Sequence, residues 1–358
     1  MCSLKKEFTT KQVYYKGLFM AKSVRLRDIA ERVGVSTVTV SKALSGQKGM
    51  SDALREKIHS LASEMGYIPS ISHKADSSKK SYTIGVIIAE RFMSEYSSYY
   101  NRLHQQVSQL AMERGCFTML EVISDIAQES RKLPRLIADK KVDGILVIGR
   151  LDEEYLKDIR VLSSIPIVYL DFCNHTGDED AVISDSYNGS YCITNYLFDK
   201  GHKKIAFVGT VMASGSITDR YFGYRKSLLE HGVEFRQDWV VDDRDSENGT
   251  IDPAKFFRLP DDMPTAFVCN CDLTASALIK KLLDNGYRVP EDISVVGFDN
   301  FVYPGMCDIK ITTYGVDTYE MGRNAVLNLI RKISSERYRQ GIMILEGHLI
   351  EGESVKEI

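Results

Sequence analysis

The strongest constraint on the fold of this chain is an alternation, from residue 82 onward, between short apolar runs and longer amphipathic segments. Continuous apolar runs of this length are typical of strands that are buried on both faces. The strands predicted in this way include TIGVIIA (83–89), FTMLEVI (117–123), DGILVIG (143–149), PIVYLD (166–171), KIAFVGT (204–210), TAFVCN (265–270) and ISVVGFDN (293–300). The helices predicted between them include 99–116, 130–142, 188–202, 219–232 and 272–287. This alternation predicts an α/β body with parallel sheets covered by helices.

Length and composition indicate a globular protein with more than one domain. The chain has 358 residues, of which 44% are hydrophobic and 27% charged. It contains no apolar run of about 18 residues or more, so no membrane contact is expected, and residues 1–19 lack the apolar core of a signal peptide. The seven cysteines are scattered and mostly lie inside apolar runs, which favours buried free thiols. We therefore expect a cytoplasmic protein.

Charge is unevenly distributed along the chain. Residues 1–80 contain 15 Lys and Arg against seven Asp and Glu, whereas the whole chain has a net charge of −3. A basic N-terminal region on an acidic body favours contact with a polyanion, although a solvated basic tail would have the same composition.

The region from Leu26 to Leu44 has the pattern of two short helices joined by a tight turn. Gly34 lies where the first helix must end, and Ser36 is a good N-cap for the second helix. The residues predicted to face the core are Leu26, Ile29, Ala30, Val33, Val40, Ala43 and Leu44. A third helix is predicted from its cap at Ser51 to Met65. This spacing predicts a helix-turn-helix, whose second helix enters the major groove of DNA.

The same residues carry a resemblance to a known family. DIAERVGVSTVTVSKALSG, followed by REKIHSLASEMGYIP, resembles the DNA-binding head of the lactose/galactose repressor (LacI/GalR) family. The body resembles the family as well, in DGILVIG, IPIVYLD, GHKKIAFVG, DRYFGYRKSLLEHG, ISVVGFDN and ITTYGVD, which occur in that order. The resemblance implies a small all-α helix-turn-helix head and a two-lobed α/β effector domain of the type I periplasmic-binding-protein-like fold.

The resemblance also implies a domain organisation. Residues 1–21 are predicted to be a disordered N-terminal extension, since the resemblance begins near Met20, which itself resembles a translation start. The alternative is a basic arm that aids DNA binding. Residues 22–68 form the head and the polar residues 69–82 a hinge. Residues 83–358 form the effector-binding and dimerisation domain, with lobe 1 at about 83–185 and 313–340 and lobe 2 at about 186–312 and 341–358.

Six residues are expected to contact DNA because of their positions in the family pattern. Thr37 and Val38 occupy the two base-reading positions, and Lys42 stands where most members carry Arg. Lys can donate to guanine but lacks the two-pronged geometry of Arg. Ser36 and Thr39 are expected to contact phosphates, and Lys74 of the hinge occupies the position of a usual Arg.

The hinge departs from the family pattern. A count without gaps places Asp76 where members insert a Leu into the minor groove. A carboxylate cannot act as an apolar wedge between base pairs. We therefore expect the hinge to remain extended and to contact phosphates through its lysines, or a neighbour such as Ile71 to take the wedge position.

A ligand site is predicted where polar residues follow the strands of the body. Asp171, Asp299 and the segment 270–272 close three predicted strands, and ligands of such folds bind beyond the carboxyl ends of strands. An Asp at a strand end is also a common turn or cap residue. The resemblance implies an effector site that contains Tyr99, Asp171, Arg220, Cys271, Asp272 and Asp299, with Cys271 in place of the family's Asn. Carboxylates and an Arg suit the hydroxyls of a carbohydrate.

These features predict a transcriptional regulator, more specifically a repressor, that binds a pseudo-palindromic DNA operator as a homodimer. No leucine heptad is present to build a tetramer. The sequence lacks the nucleophile, P-loop, HExxH and GxGxxG motifs, so we expect no enzyme activity, metal or cofactor. The alternative is a solute-binding sensor without a DNA role.

Overall fold

The computed structural model of the chain describes residues 24–44, 49–65, 67, 81–93, 99–174, 179–245, 249, 251–301, 307–338 and 340–358. The predictions for the N-terminal extension, for the hinge residues Lys74 and Asp76, and for a wedge at Ile71 lie outside these residues. The chain divides into two compact units, Met1–Lys80 and Ser81–Ile358. Within the described residues, no helix is both long and apolar enough to cross a bilayer.

The first unit contains the three predicted helices, α1 (Leu26–Val33), α2 (Thr37–Leu44) and α3 (Asp52–Glu64). Gly34 takes a left-handed conformation (φ 80°) and ends α1, as its position in the sequence predicted. The backbone N–H of Thr39 donates to Oγ of Ser36 (3.1 Å), and that of Leu54 donates to Oγ of Ser51. The core of this unit consists of Ile29, Ala30, Val40, Ala43, Ile58 and Ala62.

The second unit contains two six-stranded sheets, each of which is the centre of one lobe. The sheet of lobe 1 has the order β11-β5-β4-β3-β1-β2 and is parallel throughout. Its strands are β1 (Thr83–Ala89), β2 (Phe117–Ile123), β3 (Gly144–Ile148), β4 (Ile167–Leu170), β5 (Ala181–Ser184) and β11 (Ile342–Leu345). The helices of this lobe are α4 (Tyr99–Glu113), α5 (Asp125–Glu129), α6 (Arg135–Ala138), α7 (Glu153–Leu162) and α12 (Thr318–Ile333).

The sheet of lobe 2 has the order β12-β10-β9-β8-β6-β7, and its pairs are parallel except β10 with β12. Its strands are β6 (Ile205–Val208), β7 (Val240–Val241), β8 (Ala266–Cys269), β9 (Ser294–Asp299), β10 (Thr312–Gly315) and β12 (His348–Ile350). The helices are α8 (Ser186–Asp199), α9 (Gly215–Glu230), α10 (Pro253–Phe256) and α11 (Asp272–Asp284). Apolar clusters on both faces of each sheet form the core, as continuous apolar strands require.

The chain passes between the lobes three times, between β5 and α8, between β10 and α12, and between β11 and β12. The predicted lobe boundaries at 313 and 341 were wrong by a few residues, because β10 pairs with β9 in lobe 2 and β11 pairs with β5 in lobe 1. The strands β10 and β11 are short, and their own residues do not indicate which of the two sheets each strand joins. The connections touch one another: Asp185 N–H donates to the carbonyl of Leu345 (2.9 Å), and Gly347 N–H donates to Oη of Tyr314 (2.9 Å).

The helix predicted over 130–142 was wrong. This stretch contains only the four-residue α6, which begins directly after Pro134. Proline lacks a backbone N–H and cannot continue a helix from its N-terminal side. Arg131 also has a positive φ of 52°, which interrupts helical geometry before Pro134.

Candidate functional site

The carboxyl ends of β4 and β9 bring two carboxylates from different lobes towards the same cleft. Asp171 follows β4 with φ 68°, and Asp299 ends β9 with φ 96°, followed by Asn300 with φ 52°. Positive φ values are unfavourable for residues other than glycine and persist where the surrounding structure holds them. The two backbones therefore turn sharply where the strands end, as expected for a site built at this edge of a sheet.

Arg220 of α9 is buried and forms hydrogen bonds with three polar groups of lobe 2. Its Nη2 donates to Oδ1 of Asp299 (3.1 Å), its Nη1 to the carbonyl of Asn270 (2.6 Å) and its Nε to Oγ of Ser186 (3.3 Å). The guanidinium also lies 3.8 Å from the centre of the Phe298 ring. Stacking and three hydrogen bonds fix the orientation of this cation.

Asp171 is in an environment that disfavours its ionised form. Burial raises the pKa of Asp171 to about 7, with a further contribution from the charge of Asp299, while Arg220 acts in the opposite direction. The hydroxyls of Tyr100 and Tyr99 interact with the carboxyl group and also lower its pKa. Among the described residues, Asp171 forms no ion pair. A half-buried carboxyl group of this kind can accept hydrogen bonds from the hydroxyl or N–H donors of a ligand.

Aromatic side chains from both lobes lie beside these carboxylates. The ring of Tyr99 makes edge contacts with Tyr100 (5.5 Å between centroids) and with Phe301 of lobe 2 (6.2 Å). Tyr100 stacks on Phe92 (4.3 Å). The structure thus brings the predicted Tyr99 to the cleft and adds Phe301, which the sequence analysis missed.

The structure places Asp272 behind the cleft surface. Its side chain is buried at the start of α11, and Oδ2 accepts the backbone N–H of Phe301 (2.8 Å). Burial is the main reason that the pKa of Asp272 is raised to about 8. Asp272 is therefore placed to hold the turn after β9, and the predicted direct contact with an effector is disfavoured by this position.

A polar network centred on Asp243 was missed by the sequence analysis. The carboxylate is fully buried after β7 and accepts from Thr274 Oγ1 (2.6 Å), Asn270 Nδ2 (2.7 Å) and the backbone N–H of Thr210 (2.9 Å). Burial acts to raise the pKa of Asp243, but the hydrogen bonds and charge of Arg244 outweigh it, so that this pKa lies below its usual value. Because β7 has only two residues, no apolar run marked the strand end that carries this network.

Cys271 lies beside this network at the N-terminus of α11. Its Sγ is 3.2 Å from Oγ1 of Thr274 and accepts a hydrogen bond from Nη2 of Arg244 (3.7 Å). Burial raises the pKa of the Cys271 thiol. The predicted effector residues therefore divide into four around the cleft (Tyr99, Asp171, Arg220, Asp299), one in the adjoining network (Cys271) and one behind it (Asp272).

A second concave region lies at the opposite edge of the lobe 1 sheet, where β4 and β5 begin. It has a volume of about 240 Å³. Its charged groups already form ion pairs, Arg160 with Glu179 (3.4 Å) and Lys332 with Asp180 (2.7 Å). We consider the cleft the candidate site, because its polar groups converge from both lobes at the carboxyl ends of strands. Within the described parts of the chain, no group of three or more His, Cys, Asp or Glu could hold a metal ion.

In the first unit, helix α2 presents the predicted DNA-reading face to solvent. Thr37 and Lys42 are exposed, and Val38 has an exposed fraction of 61% although it is apolar. Ser36 caps the helix, and its Oγ is also 2.9 Å from Oγ1 of Thr39. Val40 and Ala43 of this helix are buried, whereas Thr37, Val38 and Lys42 face solvent, an orientation that suits a recognition helix.

A helix-turn-helix unit joined to a two-lobed α/β body with a polar cleft defines the class of DNA-binding regulators that carry a periplasmic-binding-protein-like domain. The family model "Bacterial regulatory proteins, lacI family" matches residues 25–70, and the model "Periplasmic binding protein-like domain" matches residues 194–355. The HTH-type transcriptional repressor PurR of Vibrio campbellii is 27% identical over 93% of this chain and 99% of that protein. The chain thus combines a DNA-binding domain of the lacI family with a periplasmic-binding-protein-like domain, which is the organisation of a LacI-type DNA-binding transcriptional regulator.

Solved structures show the same fold. The complex of the transcriptional regulator CelR with cellobiose is 25% identical, with a TM-score of 0.66 over 92% of this chain and 99% of that one. The Lac repressor dimer bound to operator and the anti-inducer ONPF is 22% identical, with a TM-score of 0.67 over 94% of this chain and 100% of that one. The predicted combination of head and two-lobed body is thereby confirmed.

Proposed function

We propose that the protein is a cytoplasmic transcriptional repressor whose affinity for its operator depends on a small molecule bound between the two lobes. The observation that carries this proposal is the cleft itself, where Asp171 of lobe 1 faces Arg220 and Asp299 of lobe 2. A ligand that contacts both walls binds better to one arrangement of the lobes than to another, and such differential binding is what allows an effector to control a second site. No catalytic step is proposed.

A sugar or polyol is the effector class that these groups favour. Vicinal hydroxyls can donate to the carboxylates of Asp171 and Asp299 and accept from a fixed guanidinium. The rings of Tyr99 and Phe301 offer apolar surface to the C–H face of a sugar. The relative CelR was solved with cellobiose. A planar nucleobase is the second candidate, because it would contact the same two rings.

On the DNA side, we propose that Thr37 and Val38 contact base edges, that Lys42 donates to a base, and that Ser36 and Thr39 contact phosphates. The exposure of Ser36, Thr37, Val38 and Lys42 at the start and along the outer face of α2 supports these roles, and Thr39 is half-buried beside them. Lys74 is proposed as a phosphate contact from its sequence position alone.

We propose that two copies pair through the exposed edge of the lobe 1 sheet. The edge strand β2 exposes Phe117, Met119, Leu120 and Val122, and Met112 of α4 is also exposed. An open, apolar edge strand invites pairing with another chain, and natural proteins cover such edges. A second copy is the occupant that fits, because one helix-turn-helix reads only a half-site and two-fold pairing supplies the other. A relative in this family, the Lac repressor, was solved as a dimer on its operator.

The proposal is tested with the full chain and an operator selected from random duplex DNA. Fluorescence anisotropy is measured with and without members of a panel of sugars, polyols and nucleobases. We expect one member or more to change operator affinity by about tenfold or more. Asp171→Asn should keep operator affinity and lose this response. The proposal is contradicted if a chain without residues 24–67 still binds the operator. It is also contradicted if the effector changes the operator affinity of Asp171→Asn as much as that of the wild-type chain.

A further inference from the structure

Arg244 has one donor group that forms no hydrogen bond with the described residues. Its Nε donates to both oxygens of Asp243 (3.0 and 3.1 Å), and its Nη2 donates to Asp243 Oδ2 (2.7 Å) and to Oδ1 of Asn270 (2.9 Å). No hydrogen bond is formed by Nη1 to any described residue, and this nitrogen is not sealed from solvent. The side chain of Arg244 has an exposed fraction of 16%, whereas that of Asp243 is 0%.

This unused donor belongs to the same wall as Arg220. Asn270 joins the two arginines, because its carbonyl accepts from Arg220 and its side-chain oxygen accepts from Arg244. The charge of Arg244 also acts on Asp299, the partner of Arg220. The two guanidinium groups therefore flank Asn270 at the end of β8.

Among the described residues, the two arginines of the lobe 2 wall are each paired with a carboxylate, so this wall has no buried positive charge in excess. Arg220 is paired with Asp299 (3.1 Å) and Arg244 with Asp243 (2.7 Å). Asp171 on the opposite wall forms no ion pair with any described residue. The segments 94–98, 175–178, 246–248 and 302–306, which follow strands of the body but are outside the described residues, contain no Lys or Arg in their sequence.

An anion that enters such a site loses its hydration and meets the carboxyl group of Asp171, whose ionised form is already disfavoured, with no buried cation in excess to compensate it. Burial of a charge is unfavourable unless the charge is paired. A neutral molecule avoids this loss: its hydroxyls donate to Asp171, and a hydroxyl or carbonyl oxygen accepts from Nη1 of Arg244.

We propose that Arg244, held in place by Asp243, is a specificity-determining donor of the cleft, and that the cleft selects a neutral, hydroxyl- or carbonyl-bearing molecule over its acidic and phosphorylated counterparts. This inference rests on the proposed effector function. It goes beyond that function by fixing the charge of the ligand and by assigning a role to a pair of residues that the sequence analysis did not identify.

Calorimetry on the full chain with matched sets of ligands tests the inference. The sets are glucose, glucuronate and glucose 6-phosphate, and the corresponding three molecules derived from galactose. We expect the neutral member to bind at least about tenfold more tightly than its acidic and phosphorylated counterparts. Tighter binding by an anionic member overturns the inference but leaves the cleft as an effector site. Binding without any change in operator affinity instead contradicts the proposed function.

Two substitutions separate the charge of Arg244 from its geometry. Asp243→Asn leaves Arg244 without its partner, so the ratio of acid to neutral affinity should rise about tenfold or more. Arg244→Lys keeps the ion pair but removes the Nη1 donor, so neutral affinity should fall about fivefold or more while the ratio stays the same. Asp292→Asn, which removes a surface partner of Arg288, is the control and should change neither value. An unchanged ratio in a folded Asp243→Asn variant overturns the role of the pair.

Inorganic phosphate provides a further test that requires no knowledge of the effector. Thermal unfolding is followed with increasing phosphate, and chloride at equal ionic strength is the reference. The wild-type chain should show no saturable stabilisation by phosphate, whereas Asp243→Asn should show it because a ligand that binds the folded state raises the midpoint. The inference is contradicted if phosphate stabilises the wild-type chain in a saturable manner and this stabilisation is lost in Arg244→Lys.

Discussion

The carboxylate of Asp272 lies directly against the backbone of Gly297, so closely that a Cβ atom at residue 297 would be 2.0 Å from Oδ1 of Asp272. The other oxygen of this carboxylate accepts a hydrogen bond from the backbone N–H of Phe301 (2.8 Å). Gly297 lies within β9, and Phe301 follows the turn that contains Asp299. The absence of a side chain at residue 297 thus allows Asp272 to fix the turn that presents Asp299 to the cleft.

Substitution of this glycine should disturb both stability and the cleft. In Gly297→Ala, the Asp272 carboxylate must move and lose its hydrogen bond to Phe301. We expect the free energy of unfolding to fall by about 1–3 kcal/mol, as for loss of a buried hydrogen bond together with a steric clash. Urea unfolding measures this change. Gly215→Ala is the control, since a Cβ there has open space and should leave stability unchanged; equal stability of both variants would refute the role of Gly297.

The raised pKa of Asp272 makes stability depend on pH. With a pKa of about 8 in the folded state and 3.8 as its ordinary value, this group binds more protons in the folded than in the unfolded chain between these limits. The contribution of Asp272 to the free energy of unfolding should therefore be greatest below pH 4 and should decrease as pH rises towards 8. One linked proton contributes a slope of up to about 1.4 kcal/mol per pH unit.

Asp272→Asn should flatten this dependence when urea unfolding is compared at pH 5, 6.5 and 8. A smaller slope of the same sign should remain, because the pKa of Asp171 is raised to about 7. The control is Asp292→Asn: hydrogen bonds from Arg288 lower the pKa of Asp292 to about 2, and its stability contribution is lost only as pH falls through that value. A slope that is the same with and without Asp272 would disprove the assignment.

Lys42 should contribute to base preference more than to overall DNA affinity. It is exposed on α2, and Lys42→Ala should reduce discrimination between the selected operator and a scrambled duplex by about 1–3 kcal/mol. Lys57→Ala on α3 removes an exposed cation from another helix and should leave discrimination intact. Anisotropy titrations at two salt concentrations separate this effect from a general loss of phosphate contacts. If both variants discriminate equally well, Lys42 does not read a base.

An acidic residue on β2 should separate the two copies. Leu120 has an exposed fraction of 39% on this edge strand, and Leu120→Asp places a charge where we propose an apolar interface. Light scattering should show a dimer for the wild-type chain and a monomer for the variant, with weaker operator binding. Val161→Asp on α7 changes a more exposed apolar residue (75%) outside this edge and should remain dimeric. A dimeric Leu120→Asp variant would place the interface elsewhere.

Most of the fold was predictable because it depends on local patterns. Continuous apolar runs gave the bounds of β1 and β2 to the residue, and Gly34 and Ser36 marked the turn of the head. The strands that the analysis missed or assigned to the wrong lobe are β5, β7, β10, β11 and β12, which have two to four residues each. Short strands are defined by the neighbours with which they pair, and that information is not contained in their own residues.

The cleft was predictable only in part, for a related reason. Asp171, Arg220 and Asp299 are brought to the cleft because they lie at strand ends or on the adjoining helix. Asp272 occupies a similar sequence position but turns inward, because Gly297 leaves room for it under β9. Neither this room nor the pairing of Arg244 with Asp243 follows from a motif, since both depend on contacts between distant residues.

The third connection between the lobes has a consequence for how the chain folds. β11 and β12 are separated by only two residues, yet each completes a different six-stranded sheet. On the ribosome, neither lobe can assemble its full sheet until the segment 342–350 has emerged, although almost all other residues of both lobes are by then available. The two lobes should therefore acquire their stable form together, once this segment has emerged, and not one after the other in the order of the sequence.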